Sequence, residues 1–107
     1  GSVIVKSYDK SLTAIIKAHD SPIACLSLNY DGSMLATASD KGTLIRIFNV
    51  EKGTFLLEVR RGSERADIYS IAFDPLSKFI ACSSDRGTIH IFSLLTAHKK
   101  LKELNEK

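Results

Sequence analysis

The stretch Ala38-Ser39-Asp40-Lys41-Gly42-Thr43-Leu44-Ile45-Arg46-Ile47-Phe48 decides the fold, because the chain repeats it as Ser83-Ser84-Asp85-Arg86-Gly87-Thr88-Ile89-His90-Ile91-Phe92. The two copies align at an offset of 45 residues as far as Thr43. The first copy then carries one extra residue, for which we expect a bulge in that strand. The match extends outward, since Ile23 aligns with Ile68. The chain therefore contains an internal repeat.

Short apolar runs separated by turn residues predict strands along the whole repeat. Each break carries Gly, Pro, Asp or Asn, which tolerate a positive φ or fix a turn, as in Tyr30-Asp31-Gly32-Ser33 and Asp74-Pro75. Short, evenly spaced strands with tight turns are typical of an antiparallel all-β fold. The predicted strands are Val3–Val5, Leu12–Lys17, Ile23–Leu28, Met34–Ser39, Leu44–Val50, Thr54–Arg60, Ile68–Phe73, Phe79–Ser84 and Thr88–Leu95.

Four strands in a period of about 40–45 residues are typical of a blade of a WD-repeat β-propeller. We predict a propeller fragment of about two and a half four-stranded antiparallel blades, fewer than the four to eight of a complete propeller. Residues 3–17 are the last strands of one blade, residues 18–62 a complete blade, and residues 63–95 three strands of the next. Residues 1–2 are expected to be the remnant of a cleaved expression tag. Residues 96–107 are a basic tail that begins a loop between strands, either as a short frayed helix or as a mobile segment.

The composition excludes several classes of protein. With 107 residues, 44% of them apolar, and a net charge of +3, the chain is too apolar and too weakly charged to be disordered. No apolar run approaches the ~18 residues of a membrane span. Catalytic motifs and metal-ligand spacings are missing, so we expect no enzyme, no cofactor and no metal. Nucleic-acid binding would require more basic residues and more aromatic residues for stacking. Cys25 and Cys82 lie in apolar runs and are expected to be buried free thiols.

The chain resembles the PROPPIN family, the WIPI-type phosphoinositide-binding propellers of autophagy. The resemblance covers nearly all of Ala18–Leu94 and rests on four motifs in order at blade spacing. It identifies residues 18–62 as the fifth blade, with parts of the fourth and sixth on either side. Val59 departs from the Phe or Leu that the family usually has before Arg-Arg-Gly. The motifs are Ala18-His19, Ala38–Arg46, Arg60-Arg61-Gly62 and Ser83–Phe92.

Arg60 and Arg61 carry the chemistry of the motif. Adjacent residues in a strand point to opposite faces, so the two cations can serve two anion sites in neighbouring clefts of the propeller. Arginine forms forked, charge-assisted hydrogen bonds with phosphate. The resemblance implies one site formed by His19, Thr37, Ser39, Gly42, Thr43, Arg46 and Arg60. It implies a second site formed by Arg61, Gly62, Ser84, Thr88 and His90.

Several of these residues also have a purely structural interpretation. His19 and Ser39 occupy positions that form a hydrogen-bond network in ordinary WD repeats, and Asp40 is expected to be structural because a carboxylate repels phosphate. Thr37, Thr43 and Thr88 fit as strand and turn residues, and Arg46 and His90 as solvated edge residues. A scaffold that binds only proteins is therefore an alternative function. The adjacent Arg60 and Arg61, with no acidic neighbour until Glu64, favour the lipid-binding interpretation.

The resemblance implies partners and a location. The expected ligands are phosphatidylinositol 3-phosphate and phosphatidylinositol 3,5-bisphosphate, bound by a cytoplasmic protein peripheral to autophagic or endolysosomal membranes. Autophagy proteins are expected to bind the parent propeller. The open blade faces and sheet edges of the fragment predict self-association, since exposed edges can pair with other chains.

Overall fold

The computed structural model describes residues 1–9 and 12–105 and confirms the all-β fold. Sheet 1 has two strands, sheet 2 has four and sheet 3 has three, all antiparallel and in chain order. The strands are β1 (Ser2–Ser7) and β2 (Leu12–Lys17) in sheet 1, β3 (Ile23–Leu28), β4 (Met34–Ser39), β5 (Leu44–Asn49) and β6 (Phe55–Arg60) in sheet 2, and β7 (Ile68–Phe73), β8 (Phe79–Ser84) and β9 (Ile89–Ser93) in sheet 3.

The bulge expected after Thr43 is wrong. The pairing of β4 with β5 is continuous, so the extra residue lengthens the connection between the paired residues Ala38 and Ile45. The corresponding connection in sheet 3 joins Ser83 to Ile89 and is one residue shorter. An irregularity does occur where β5 pairs with β6, but the extra residue, Leu56, belongs to β6, since Ile47 pairs with Leu57 and Phe48 with Phe55.

Two apolar cores lie in the clefts between the sheets. The first cleft, between sheets 1 and 2, is closed around Ile16, Ala18, Leu35 and Phe48. The second cleft, between sheets 2 and 3, has a larger core that includes Ile45, Ile47, Ile80 and Cys82. The middle strands of sheet 2 are therefore buried on both faces, and every residue of β4 is buried. This is how a propeller blade is stabilised, because each sheet buries its faces against its neighbours.

The tail after β9 forms the helix α1 (Leu95–Asn105). Ala97 is fully buried, and Leu101 and Leu104 also pack onto the core of the second cleft, so one apolar helix face covers the outer end of that cleft. On the neighbouring helix surface, the Lys100 ammonium lies 5.0 Å from the centre of the Phe55 ring. Of the two alternatives for the tail, the helix is the one found; Glu106 and Lys107 lie outside the described residues. No helix in the described ranges is long and apolar enough to cross a bilayer.

Candidate functional site

Strand register assigns Thr37, Arg46 and Arg60 of the first predicted site to one face of sheet 2. Thr37 pairs with Arg46, Arg46 with Glu58, and Leu44 with Arg60, and residues paired across antiparallel strands share a face. Leu35 and Phe48 lie on the same face and belong to the core of the first cleft. This face of the sheet is therefore turned toward sheet 1.

His19, Thr37 and Arg46 are linked in a buried network within this first site. His19 Nε2 lies 3.0 Å from the Thr37 hydroxyl oxygen, and Thr37 donates a longer hydrogen bond of 3.4 Å to the carbonyl oxygen of Arg46. Thr37 is wholly buried, so in this conformation it acts on a ligand only through His19 and Arg46. Burial lowers the pKa of the His19 imidazole and the Arg46 charge lowers it further, although hydrogen bonding to Thr37 opposes both. His19 is therefore neutral at pH 7. Because Thr37 donates its own proton to the Arg46 carbonyl, the proton between His19 and Thr37 belongs to His19 Nε2.

Arg46 is held by two acceptors. Its Nη1 donates to the carbonyl oxygen of Ala18 over 2.7 Å, and its Nε donates to a carboxylate oxygen of Glu58 over 2.8 Å. A guanidinium has five N–H donors, so three of them remain available to a ligand. The sequence analysis missed Glu58, although its position two residues before Arg60 in a strand indicates that the two side chains share a face.

Ser39 and Ser84 occupy equivalent positions in the two repeats and organise equivalent turns. The Ser39 hydroxyl oxygen accepts the backbone N–H of Lys41, and that of Ser84 accepts the backbone N–H of Arg86. The carbonyl oxygens of Ser39 and Ser84 accept the N–H groups of Gly42 and Gly87. The two serines are therefore structural residues of the turns. Each hydroxyl still has its own proton and can also donate to a ligand.

The turn at Gly42 lies directly against the loop that follows Arg61. Gly42 has a φ of +68°, and a Cβ atom at this position would collide with the carbonyl group of Ala66. The Thr43 carbonyl oxygen accepts the N–H groups of Arg61 at 2.8 Å and Gly62 at 3.4 Å. The motif Arg60-Arg61-Gly62 is therefore fixed to the connection between β4 and β5 by the backbone.

Arg60 and Arg61 lie on opposite sides of sheet 2. Arg60 ends β6 on the face that carries Arg46 and is exposed, and its side chain has no hydrogen-bond or ion-pair partner in the described part of the chain. Arg61 donates to the carbonyl oxygens of Gly42 and Glu64. Its positive charge acts on the thiol of Cys82, which belongs to the core of the second cleft. The two adjacent cations therefore lie toward two different clefts.

Ser84 and His90 of the second predicted site lie on the face of sheet 3 that is turned toward the second cleft. Ser84 is paired with Ile68, and His90 with Cys82, and both Ile68 and Cys82 belong to the core of the second cleft. The His90 ring is stacked on that of Phe92, with centroids 6.2 Å apart. Thr88 is exposed and directly precedes β9, and Gly62, in the loop after β6, is half-buried. No group of three potential metal ligands occurs among the described residues.

The comparisons agree with this architecture. The PROPPIN family profile matches residues 2–104. The chain is 55% identical over 94 residues to autophagy-related protein 18e of Arabidopsis thaliana, covering 88% of this chain and 25% of the relative. It is also 55% identical over 80 residues to autophagy-related protein 18 of Yarrowia lipolytica, covering 75% of this chain and 20% of the relative. The chain thus spans a quarter or less of the length of the curated relatives it matches.

Solved structures match the three sheets as well. The crystal structure of Hsv2 from Kluyveromyces marxianus gives a TM-score of 0.85 at 36% identity, covering 89% of this chain and 31% of that one. A structure described as a complex of KlAtg21 with the coiled coil of AgAtg16 gives a TM-score of 0.78 at 33% identity, covering 88% of this chain and 31% of that one. Because the family profile matches nearly the whole length of the chain, the chain belongs to the PROPPIN family.

Proposed function

We propose that this chain is the phosphoinositide-recognition segment of a PROPPIN propeller. Arg60 serves a site in the first cleft, with His19, Thr37, Ser39, Gly42, Thr43 and Arg46. Arg61 serves a site in the second cleft, with Gly62, Ser84, Thr88 and His90. The observation that carries the proposal is the placement of two adjacent arginines. Arg60 ends β6 on the face that carries Arg46, and its side chain has no protein partner in the described residues. Arg61 lies just beyond β6, and its charge acts on Cys82 in the second cleft.

The ligands in this proposal are phosphatidylinositol 3-phosphate and phosphatidylinositol 3,5-bisphosphate. Each site offers a guanidinium, hydroxyl groups, an imidazole and a glycine-containing turn, of which the guanidinium is the strongest donor to a phosphate monoester. Two sites at one rim engage one membrane together, which raises avidity by ~10²–10⁴ over either site alone. The protein would therefore act peripherally on autophagic or endolysosomal membranes, and no catalytic step is assigned to it.

Vesicle co-sedimentation tests the proposal. The 107-residue chain is mixed with phosphatidylcholine vesicles that contain phosphatidylinositol 3-phosphate, phosphatidylinositol 4-phosphate or phosphatidylserine. We expect selective binding to the 3-phosphate, partial loss with Arg60→Ala or Arg61→Ala, and complete loss with both. The same substitutions are measured in Arabidopsis 18e with its matching segment exchanged for this chain, so that the missing blades are supplied.

A charge-matched control makes the result specific. Lys41→Ala combined with Arg65→Ala removes two exposed cations from the same end of the blades without touching either site. We expect this pair to reduce binding much less than the double substitution at Arg60 and Arg61. Equal losses would show only non-specific attraction between a basic surface and an anionic membrane, and unchanged binding by Arg60→Ala with Arg61→Ala would exclude the proposed sites.

Protein binding is the second candidate function. It is favoured by the relative KlAtg21, whose structure is described as a complex with a coiled coil, as expected if autophagy proteins bind the parent propeller. The two functions are separable in the same experiment. If the chain belongs to a protein scaffold without lipid binding, it will not sediment selectively with any of the vesicles, and substitution of Arg60 and Arg61 will change nothing.

A further inference from the structure

Glu58 places a negative charge inside the site proposed for an anion. Its carboxylate oxygen accepts from Arg46 Nε at 2.8 Å, and the two residues are direct partners across β5 and β6. Both side chains are partly exposed, at 31% for Arg46 and 39% for Glu58. A ligand approaching Arg46 from solvent therefore meets this carboxylate at the surface of the first cleft.

Glu58 is the one carboxylate on this face of sheet 2, all of whose strands are described. The residues of β4 and β5 that share the face are Leu35, Thr37, Ser39, Leu44, Arg46 and Phe48. Glu58 and Arg60 continue it on β6. With His19 neutral, two arginine charges are opposed by one carboxylate charge on this face.

In the described part of the chain, no carboxylate is paired with Arg61 of the second site. Arg61 donates to the backbone carbonyl oxygens of Gly42 and Glu64, which leave its charge uncompensated. The sheet 3 residues that face it are polar or apolar, such as Ser84, His90 and Phe92. The Glu64 carboxylate contacts Arg86 instead, at 3.1 Å. The two proposed sites therefore carry similar net charge, but only in the first is an arginine paired with a carboxylate.

We propose that Glu58 is a specificity-determining residue of the first site, where its carboxylate competes with phosphate for Arg46 and disfavours a headgroup more strongly the more negative charge the headgroup carries. The inference rests on the proposed function, because it assigns a role within one of its two sites. Repulsion between like charges grows with the charge of the ligand, whereas the hydrogen bond from Arg46 to Ala18 keeps the guanidinium in place in either case.

Glu58→Gln tests this role with little change in shape, because its amide oxygen can still accept from Arg46. The affinity of the 107-residue chain is measured for phosphatidylcholine vesicles containing the 3-phosphate or the 3,5-bisphosphate, and for the soluble headgroups and inorganic phosphate. For the 3-phosphate we expect about two- to five-fold tighter binding, the scale of one exposed ion pair. For the bisphosphate we expect a larger gain, and both gains should shrink as salt is added.

Three variants make the result specific to Arg46 and the first site. Glu51→Gln changes the net charge equally but lies in the turn between β5 and β6, at the opposite end of the strands from Arg60, and should leave affinity nearly unchanged. In an Arg46→Ala background Glu58→Gln should gain nothing. In an Arg61→Ala background, which relies on the first site, the relative gain should be largest.

The outcomes separate this inference from the proposed function. Absence of selective binding by the unsubstituted chain and by the 18e exchange protein would overturn the proposed function and the role of Glu58 with it. Selective binding that Glu58→Gln weakens or leaves unchanged would overturn the role of Glu58 alone. An equal gain from Glu51→Gln would assign the effect to overall charge, and an equal gain for both headgroups would show that Glu58 does not distinguish them; either result would also overturn the inference.

Discussion

Arg61 donates a hydrogen bond from its Nε atom to the carbonyl oxygen of Gly42 over 2.5 Å, which ties the end of sheet 2 to the turn between β4 and β5. Arg60, its neighbour, has no such partner in the described residues. We therefore expect Arg61→Ala to lower the free energy of unfolding by about 1–3 kcal/mol, because a buried carbonyl loses its donor, and Arg60→Ala to change it by less than about 0.5 kcal/mol. Urea denaturation followed by circular dichroism measures both, and equal losses would contradict the assignment.

Gly42 and Gly87 are repeat-equivalent positions with different surroundings. Both have a positive φ, +68° and +75°, but a Cβ at Gly42 would collide with the Ala66 carbonyl, whereas a Cβ at Gly87 would meet nothing within 4 Å. Gly87→Ala should therefore cost only the left-handed backbone conformation, about 1–2 kcal/mol. Gly42→Ala should cost clearly more, ~3 kcal/mol or beyond, since the loop of Ala66 must move. The same denaturation measurement compares them, and similar midpoints would show that the loop yields freely.

The difference between these two glycines shows where prediction from sequence ends. The repeat and the alternation of apolar residues predict the three sheets, and most strand ends agree to within two residues because turn residues mark them. The sequence marks Gly42 and Gly87 alike as turn glycines. Only the packed structure shows that one of them touches the loop after Arg61.

The candidate site could likewise be predicted only in part from the sequence. Strand alternation predicts that Arg60 and Arg61 point to opposite faces. In the structure β6 ends at Arg60, and the Arg61 side chain is fixed by its hydrogen bonds to Gly42 and Glu64. The pairing of Arg46 with Glu58 depends on the register of β5 on β6. The irregularity between Ile47 and Phe48 changes that register, and no local sequence pattern reveals it. The sequence could not decide between a helix and a mobile segment for the tail, because α1 is stabilised by packing on the core of the second cleft and not by its own sequence alone.

The buried imidazole of His19 should make stability depend on pH. Burial lowers its folded-state pKa below the ordinary value of 6.5, so the unfolded chain binds a proton more readily than the folded one. Stability is then fully present above about pH 6.5 and is lost as the pH falls through the lowered folded pKa. We expect His19→Gln, whose amide can still donate to Thr37, to flatten the profile of urea midpoints between neutral pH and pH ~5.

Two carboxylates titrate in a separate range and do not obscure this effect. Hydrogen bonds from Ser33 lower the pKa of Asp31, and the backbone N–H of Phe79 lowers that of Asp74. Their contributions are present above the ordinary value of 3.8 and are lost only at more acidic pH. A midpoint profile that His19→Gln leaves unchanged above pH ~5 would assign the dependence to another group.

The two thiols should resist modification in the folded chain. Burial raises the pKa of Cys25 and of Cys82, and Cys82 is only 2% exposed, although the charge of Arg61 acts in the opposite direction on Cys82. Since the thiolate is the reactive form, labelling by iodoacetamide should be slow in buffer and fast in urea, with Cys82 slower than Cys25. Mass spectrometry of timed samples distinguishes the two sites. Rapid labelling of Cys82 in buffer would show that the second cleft opens readily.

The outer face of sheet 3 should make the isolated chain self-associate. Ile89 and Ile91 are 68% and 69% exposed on this face, and β9 pairs only with β8 among the described strands, so its other edge is open. Exposed apolar faces beside an open strand edge favour pairing with another chain. We expect light scattering to give a mass above 11.8 kDa that rises with concentration, and Ile89→Lys with Ile91→Lys to lower it.

Thr54→Lys with Ser63→Lys adds the same charge at exposed positions elsewhere and should not lower the mass. A monomer at all concentrations would contradict self-association, and an equal effect of both lysine pairs would assign it to charge repulsion instead of to this face.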